Sequence, residues 1–172
     1  MNRVAVVILN YNGKKFLEKF LQGVVDHSQG CRVIVADNCS TDDSVSFVEK
    51  NFPSVEIIKN STNNGYSAGY NESLGKLDQP EYYVLLNSDV EVTPGWIAPV
   101  IQMMDEDESI AAAQPKVLDQ KKKTHFEYAG AAGGYIDTLG YPFCRGRLFL
   151  DLEEDKGQYN DIHQVFWATG AC

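Results

Sequence analysis

Val4-Ala5-Val6-Val7-Ile8-Leu9, followed at once by Asn10-Tyr11-Asn12-Gly13, decides how the chain reads. An apolar run of six residues that stops at a turn signal is too short for a membrane span or a signal peptide. It fits a strand buried on both faces. Phe16, Leu17, Phe20, Leu21, Val24 and Val25 then recur at helical spacing and predict an amphipathic helix ending near His27–Gly30. Arg32–Ala36 reads as a second buried strand. Ser40 or Thr41 is expected to cap the next helix, with Asp42 and Asp43 in its first turn and Val45, Val48 and Phe52 on its apolar side.

The alternation continues. Val55–Ile58 predicts a third strand. Tyr66, Tyr70, Leu74 and Leu77 predict a helix, and Tyr82–Leu86 a fourth strand, expected to be buried. Thr93 followed by Pro94 predicts the start of a helix carrying Trp96, Ile97, Val100, Ile101 and Met104. Ile110–Gln114 is expected as a short fifth strand. Right-handed crossovers make such a pattern a three-layer α/β sandwich around an open, mostly parallel twisted sheet. From Lys121 onward, glycines at 130, 133, 134, 140 and 146 break aromatic-rich segments and predict hairpins or an ordered loop region. The reading is an α/β domain over residues 1–118 and a different region over 119–172.

Composition sets bounds. The 172 residues are 44% hydrophobic and 23% charged, ordinary for a globular chain of one domain. Acids number 24 against 15 lysines and arginines, a net charge of −9, so a nucleic-acid partner is not expected. Cys31, Cys39, Cys144 and Cys172 lack zinc-ligand spacing and suggest a reducing compartment without a disulfide framework, with Cys31 a small core residue. The runs Asp105–Glu108 and Glu153–Asp155 are expected as solvated faces. The apolar ending Val165–Cys172 suggests the N-terminal part of something longer.

In open parallel sheets, ligands bind beyond the carboxyl ends of the strands. Those positions hold Asn10, Tyr11 and Asn12; Asp37, Asn38 and Asp42; Asn60, Asn63 and Asn64; and Asn87, Ser88, Asp89 and Glu91. Asx residues are common in turns, so each loop alone reads as structural. All four together point to a site. Asp89 ends an apolar run, where a carboxylate is costly unless paired, hydrogen-bonded or bound to a hard cation. Asp37 reads either as an Asx-turn residue or as an acceptor for a base or ribose donor. Neither a Gly-x-Gly-x-x-Gly nor a P-loop pattern is present, which disfavours dinucleotide and P-loop chemistry. A nucleotidyltransferase would show a glycine-rich basic loop after the first strand, and Asn10–Lys15 does not. Asn63–Gly69 could present backbone N–H groups at a helix N-terminus to a diphosphate.

Four ordered stretches then carry a resemblance: Val6–Asn12, Val35–Asp42, Asn63–Asn71 and Leu85–Asp89 resemble the motifs of the family 2 glycosyltransferases, which have the GT-A fold. The resemblance covers roughly residues 3–118 and continues less clearly to Cys172. It implies an inverting transferase that takes a nucleotide-diphosphate sugar donor, a sugar or lipid-linked glycan acceptor, and Mg²⁺ or Mn²⁺. By position it implies Asn10 and Asn12 beside the nucleotide, Asp37 at the base with Asn38 next to it, and Asn64, Gly65 and Asn71 near the ribose and diphosphate. Asp89 matches the last acid of the family's Asp-x-Asp motif and is expected to hold the metal. Asn87 stands where many members have the first Asp. The family's base lies beyond a segment resembling Trp167–Cys172, so the catalytic residue is not expected within this sequence, and Glu127, Asp137 and Asp151 match no motif. The role implied is cell-surface polysaccharide or glycan synthesis in the cytoplasm, at the inner face of the membrane, with peripheral membrane association and a homo-oligomer left open. A non-catalytic nucleotide-binding module is the alternative.

Overall fold

The computed structural model describes residues 3–172. Its contacts divide into two compact units, one up to Ile101 and one from Gln102 onward. The first unit holds β1 (Val4–Asn10), α1 (Lys14–His27), β2 (Arg32–Asp37), α2 (Ser44–Asn51), β3 (Glu56–Lys59), α3 (Gly65–Leu74) and β4 (Tyr82–Asn87). Four parallel strands lie in the order β3-β2-β1-β4. Because β1 is central, both of its faces are buried. Ala5 and Val7 pack with Ile34, Ala36 and Tyr70 of α3, while Val6 and Ile8 on the other face are equally excluded from water. The apolar stripe of α1 (Leu17, Phe20, Leu21 and Val24) and Val48 of α2 supply buried surface of their own, and α1 contacts α2. This is the expected helix–sheet–helix sandwich. Among the described residues, no helix is long and apolar enough to cross a membrane.

Three local expectations fail for identifiable reasons. Ser40 and Thr41 do not cap α2. Asp42 does, its Oδ1 accepting from Ser44 N (3.0 Å) and Ser44 Oγ (2.5 Å). Helix α4 (Ala98–Glu106) starts after Thr93-Pro94, because Gly95 adopts φ +72°, which turns the chain before it can coil. Residues 110–114 form no strand; the segment runs on to bond within the second unit, where Val117 N donates to Ala131 O (2.8 Å) and Leu118 bridges Phe126.

The second unit carries a small antiparallel sheet: β5 (Gly134–Ile136), β6 (Pro142–Cys144), β7 (Arg147–Leu148) and β8 (Asp151–Leu152), in sequential order. Its core is Phe126, Ala131, Ala132 and Cys144, with Tyr159 and Trp167 against it. Glycine lets this core close. A Cβ at Gly146 would lie 2.5 Å from the Phe126 ring, and one at Gly134 would occupy the Trp167 indole. In the acidic run at 153–155, Glu153 and Glu154 are exposed as expected, but Asp155 is not part of a solvated face. Asp155 is largely shielded and pairs with Lys116 (2.5 Å), and Glu153 accepts from the Tyr159 hydroxyl (3.1 Å). The run at 105–108 is exposed, as expected. All four cysteines are free; Cys144 is buried, Cys31 only partly so, and burial pushes the Cys172 thiol up to about 11.

Candidate functional site

The site begins with register. β1 and β2 pair so that Asn10 stands opposite Asp37, and each ends its strand. Both side chains are buried, Asn10 completely and Asp37 to 3% exposure. Buried amides and carboxylates are costly unless satisfied. Asn10 Nδ2 donates to Asp37 Oδ1 (3.2 Å) and to Ser40 Oγ (3.1 Å), and Ser40 N donates to Asp37 Oδ2 (2.9 Å). Asn10 Oδ1 lies under Gly13 without a hydrogen-bond partner, and a Cβ on Gly13 would strike it. The carboxylate therefore accepts one N–H from the end of β1, at Asn10, and one from its own loop, at Ser40.

Asn12 ties the first loop to the second. It adopts φ +50°, its N–H donates to Ser40 Oγ (2.9 Å), and its Oδ1 accepts from Thr41 N (2.7 Å) and Asp42 N (3.2 Å). Asp42 also receives Lys14 N (3.2 Å). Burial pushes the Asp42 carboxyl up, but the Ser44 and Lys14 hydrogen bonds outweigh it and hold the group below the usual range.

Asn38 ties the second loop to the third. Buried like Asp37, it donates through Nδ2 to Asn63 Oδ1 (2.8 Å) and Gly65 O (3.1 Å), and accepts at Oδ1 from Asn60 Nδ2 (3.2 Å). Asn60 in turn donates to Gly69 O (3.0 Å) and accepts from Ser73 Oγ (3.1 Å). A Cβ on Gly69 would come within 2.9 Å of the Asn38 carboxamide, so α3 approaches this closely only because position 69 is glycine. Gly65 opens α3 at φ +81°, a conformation that favours glycine. Tyr70 anchors the same helix, its hydroxyl donating to Leu86 O (3.1 Å).

The structure thus unites Asn10, Asn12, Asp37, Asn38 and Gly65 in one hydrogen-bonded network with Ser40, Asn60 and Asn63. Asn64 is exposed at the start of α3, and Asn71 is exposed on that helix. Neither side chain enters the network. Asn87 pairs opposite Leu9 at the end of β4, and Asp89 is exposed two residues further on. The burial expected for β4 is not observed. It lies at the sheet edge with only Leu86 fully buried, so Asp89 is not forced by desolvation to find a partner. Glu127 and Asp137 are turn residues: Glu127 Oε2 accepts from Ala129 N and Gly130 N (both 2.8 Å), and Asp137 Oδ1 from Leu139 N (2.8 Å) and Tyr141 N (2.9 Å). Sequence reasoning missed Ser40 as the hinge of the network, and Gly69, Ser73 and Tyr70 as its supports. The small residues at 69 and 73, one helical turn apart, were the available signal.

A parallel sheet with these polar loops at its carboxyl edge has the GT-A glycosyltransferase fold. Mannosyltransferase PcManGT from Pyrobaculum calidifontis in complex with GDP-Man and Mn²⁺ superposes with a TM-score of 0.55 at 19% identity, over 70% of this chain and 36% of that one. S. aureus TarS 1–349 in complex with UDP-GlcNAc also gives 0.55, at 21% identity over 75% and 40%. The glycosyl transferase family 2 model matches residues 5–166, and the chain belongs to that family. The N-acetylglucosaminyl-diphospho-decaprenol L-rhamnosyltransferase of Mycobacterium tuberculosis is 24% identical over 97% of this chain, which spans 59% of that relative's length.

Proposed function

We propose that this chain is the donor-binding part of an inverting glycosyltransferase that moves a sugar from a nucleotide-diphosphate sugar to an acceptor hydroxyl, in cell-surface polysaccharide or glycan synthesis. One observation carries this reading: in a family 2 chain, Asn10, Asp37 and Asn38 are buried at the carboxyl ends of adjacent parallel strands, where Asn10 bonds Asp37 and Asn38 bonds the loop at Asn63 and Gly65. We take residues 1–118 as the donor-binding region and 119–172 as the start of the acceptor side. The nucleoside lies against Asn10, Asn12 and Asp37, with Asp37 at the base. Asn38 positions the Asn63–Gly65 loop, and Asn64, Gly65 and Asn71 border the ribose and diphosphate.

Asp89, with the Asn87 amide two residues before it, offers hard oxygen donors from one carboxylate and one carboxamide. Among the described residues no cluster of three or more acids, histidines or cysteines could hold a metal by itself. A single carboxylate fits Mg²⁺ or Mn²⁺ that takes its remaining ligands from a diphosphate and water. When bound, such a cation offsets the charge growing on the departing nucleoside diphosphate. The acceptor hydroxyl attacks opposite the diphosphate and needs a base. Glu127 and Asp137 spend their carboxylates on turn amides, so the role is assigned to neither. The acceptor is a sugar or a lipid-linked glycan, and the free cysteines fit a cytoplasmic setting.

Melting the protein against nucleoside diphosphates and their sugars, with and without Mn²⁺, tests the reading. A ligand that binds only the folded chain raises the melting temperature by mass action. One nucleotide class is expected to do so, with a larger rise when Mn²⁺ is present. No rise with any of them removes the proposal. Binding without transfer of radiolabelled sugar, in the full-length protein, leaves a nucleotide-binding module instead.

A further inference from the structure

Asn-Gly occurs twice in the sequence, at Asn12-Gly13 and at Asn64-Gly65. This dipeptide is open to an internal reaction of the chain. The glycine nitrogen can attack the asparagine carboxamide carbon, because glycine has no Cβ to block the approach. Both pairs lie in loops at the carboxyl edge of the parallel sheet, and their surroundings separate them.

Asn12 is held. Its Oδ1 accepts from Thr41 N (2.7 Å), Asp42 N (3.2 Å) and Thr41 Oγ1 (3.3 Å), and its own N–H donates to Ser40 Oγ (2.9 Å). Gly13 is buried, with Asn10 Oδ1 against the place a Cβ would take. The Asn12 carboxamide can reach Gly13 N only by giving up three hydrogen bonds inside a packed loop.

Asn64 is not held in this way. It is exposed, and its side chain makes no capping hydrogen bond to α3, whose first residue is Gly65. No atom lies within 4 Å of the place a Gly65 Cβ would take. The Gly65 N–H donates to Asn63 Oδ1 (3.0 Å) rather than into the helix, since the first N–H groups of a helix lack an intrahelical acceptor. With Asn64 ψ at 18°, the attack needs the first turn of α3 to open. That opening breaks the Asn63 bond and at most the Asn38 Nδ2 bond to Gly65 O (3.1 Å), and helix ends open readily.

We propose that Asn64 is a site of spontaneous modification, at which Gly65 N displaces ammonia from the Asn64 carboxamide while Asn12 is spared. The new C–N bond closes a cyclic imide. The carboxamide nitrogen leaves as ammonia with the Gly65 proton, and solvent water opens the ring at either carbonyl. The products are aspartate and isoaspartate. Each adds one negative charge, and isoaspartate also inserts a methylene into the backbone ahead of the Gly65 carbonyl that Asn38 holds. The reaction does not depend on the protein's activity. Its consequence rests on the placement of Asn64 beside the diphosphate proposed above: a carboxylate there repels the ligand, so nucleotide affinity declines as the protein ages.

Incubation in warm, mildly alkaline buffer, followed by peptide mapping with mass spectrometry and isoaspartate detection, tests it. Asn64 is expected to convert roughly tenfold or more faster than Asn12, which must give up more hydrogen bonds to react. In denaturant the two rates should converge, because only the fold separates them. Asn64→Gln should remove most of the isoaspartate, since glutamine cyclises far more slowly. Equal rates in the folded protein, a difference that persists in denaturant, or undiminished isoaspartate in Asn64→Gln would each overturn the proposal. Calorimetry with UDP and GDP, each with Mn²⁺, follows the consequence. Affinity for whichever binds should fall roughly fivefold on full conversion, and should not drift over the same incubation in Asn64→Gln. Affinity that ignores conversion overturns the consequence. No binding by fresh protein removes the donor reading instead, and the peptide map still decides the modification.

Discussion

At the carboxyl ends of β1 and β2, polar side chains are buried and every strong hydrogen-bonding group but Asn10 Oδ1 is engaged; in the β7–β8 hairpin, apolar side chains stand in water. Both arrangements reverse the usual partition of residues. A buried polar network fixes loop geometry at a site for a small polar ligand, since each donor and acceptor admits few alternative partners. An exposed apolar turn specifies no such geometry. The contrast also shows where glycine matters. In the first unit Gly69 admits a carboxamide, and in the second Gly134 admits an indole.

The largest effect should come from the second unit. Gly134→Ala places a methyl within the Trp167 ring, and overpacking of this kind costs about 1–3 kcal/mol or more. Chemical denaturation should show the loss, and a near-UV signal from Trp167 should fall with it. A smaller penalty than that of Gly69→Ala would break the view that the second core is the more tightly closed.

Asp37→Ala should weaken nucleoside diphosphate binding by about 1–3 kcal/mol, equally with and without Mn²⁺. Calorimetry in both conditions checks it, and loss of only the metal-dependent part would make Asp37 a metal ligand. Tyr70→Phe removes a buried hydroxyl from Leu86 O and should cost about 1 kcal/mol of stability.

Acid should reach the second unit through Asp155. The Lys116 hydrogen bond holds its carboxyl below the ordinary range, against an opposing push from burial. A carboxyl whose folded pKa is depressed binds its proton less tightly when folded. Its contribution is therefore present above the unfolded pKa and lost as pH falls through the folded one. Lys116→Met should flatten the acid limb of a stability–pH profile below the usual carboxylate range; an unchanged limb would dissociate this pair from it. Smallest in stability is Asp89→Ala. An exposed side chain without a partner should change unfolding by less than about 0.5 kcal/mol, yet remove the Mn²⁺-dependent part of nucleotide affinity.

Much of the first unit was legible in the sequence. Val4–Leu9 and Val33–Ala36 are apolar on both strand faces, as burial on both sides requires, and their polar ends mark the site. Asn10, Asn12, Asp37 and Asn38 were found this way. Ser40 was not, because a serine after a strand reads as a helix cap; only the folded loops show Asp42 taking that role while Ser40 joins Asn10, Asn12 and Asp37. The exposure of Asp89 was equally hidden, since an apolar strand at a sheet edge has the same sequence as one at its centre.

The sequence by itself determined the α/β alternation, the apolar character of the strands and the polar character of their carboxyl ends, because composition and the periods of helix and strand are local properties of the chain. Tertiary structure decided the rest. It set which amide faces which carboxylate, left residues 110–114 without a strand while Val117 and Leu118 pair with Ala131 and Phe126, and left Leu148, Phe149 and Leu150 exposed. Those outcomes depend on partners distant in sequence, and hydrogen-bond pairing and exposure are properties of the pair, not of either residue.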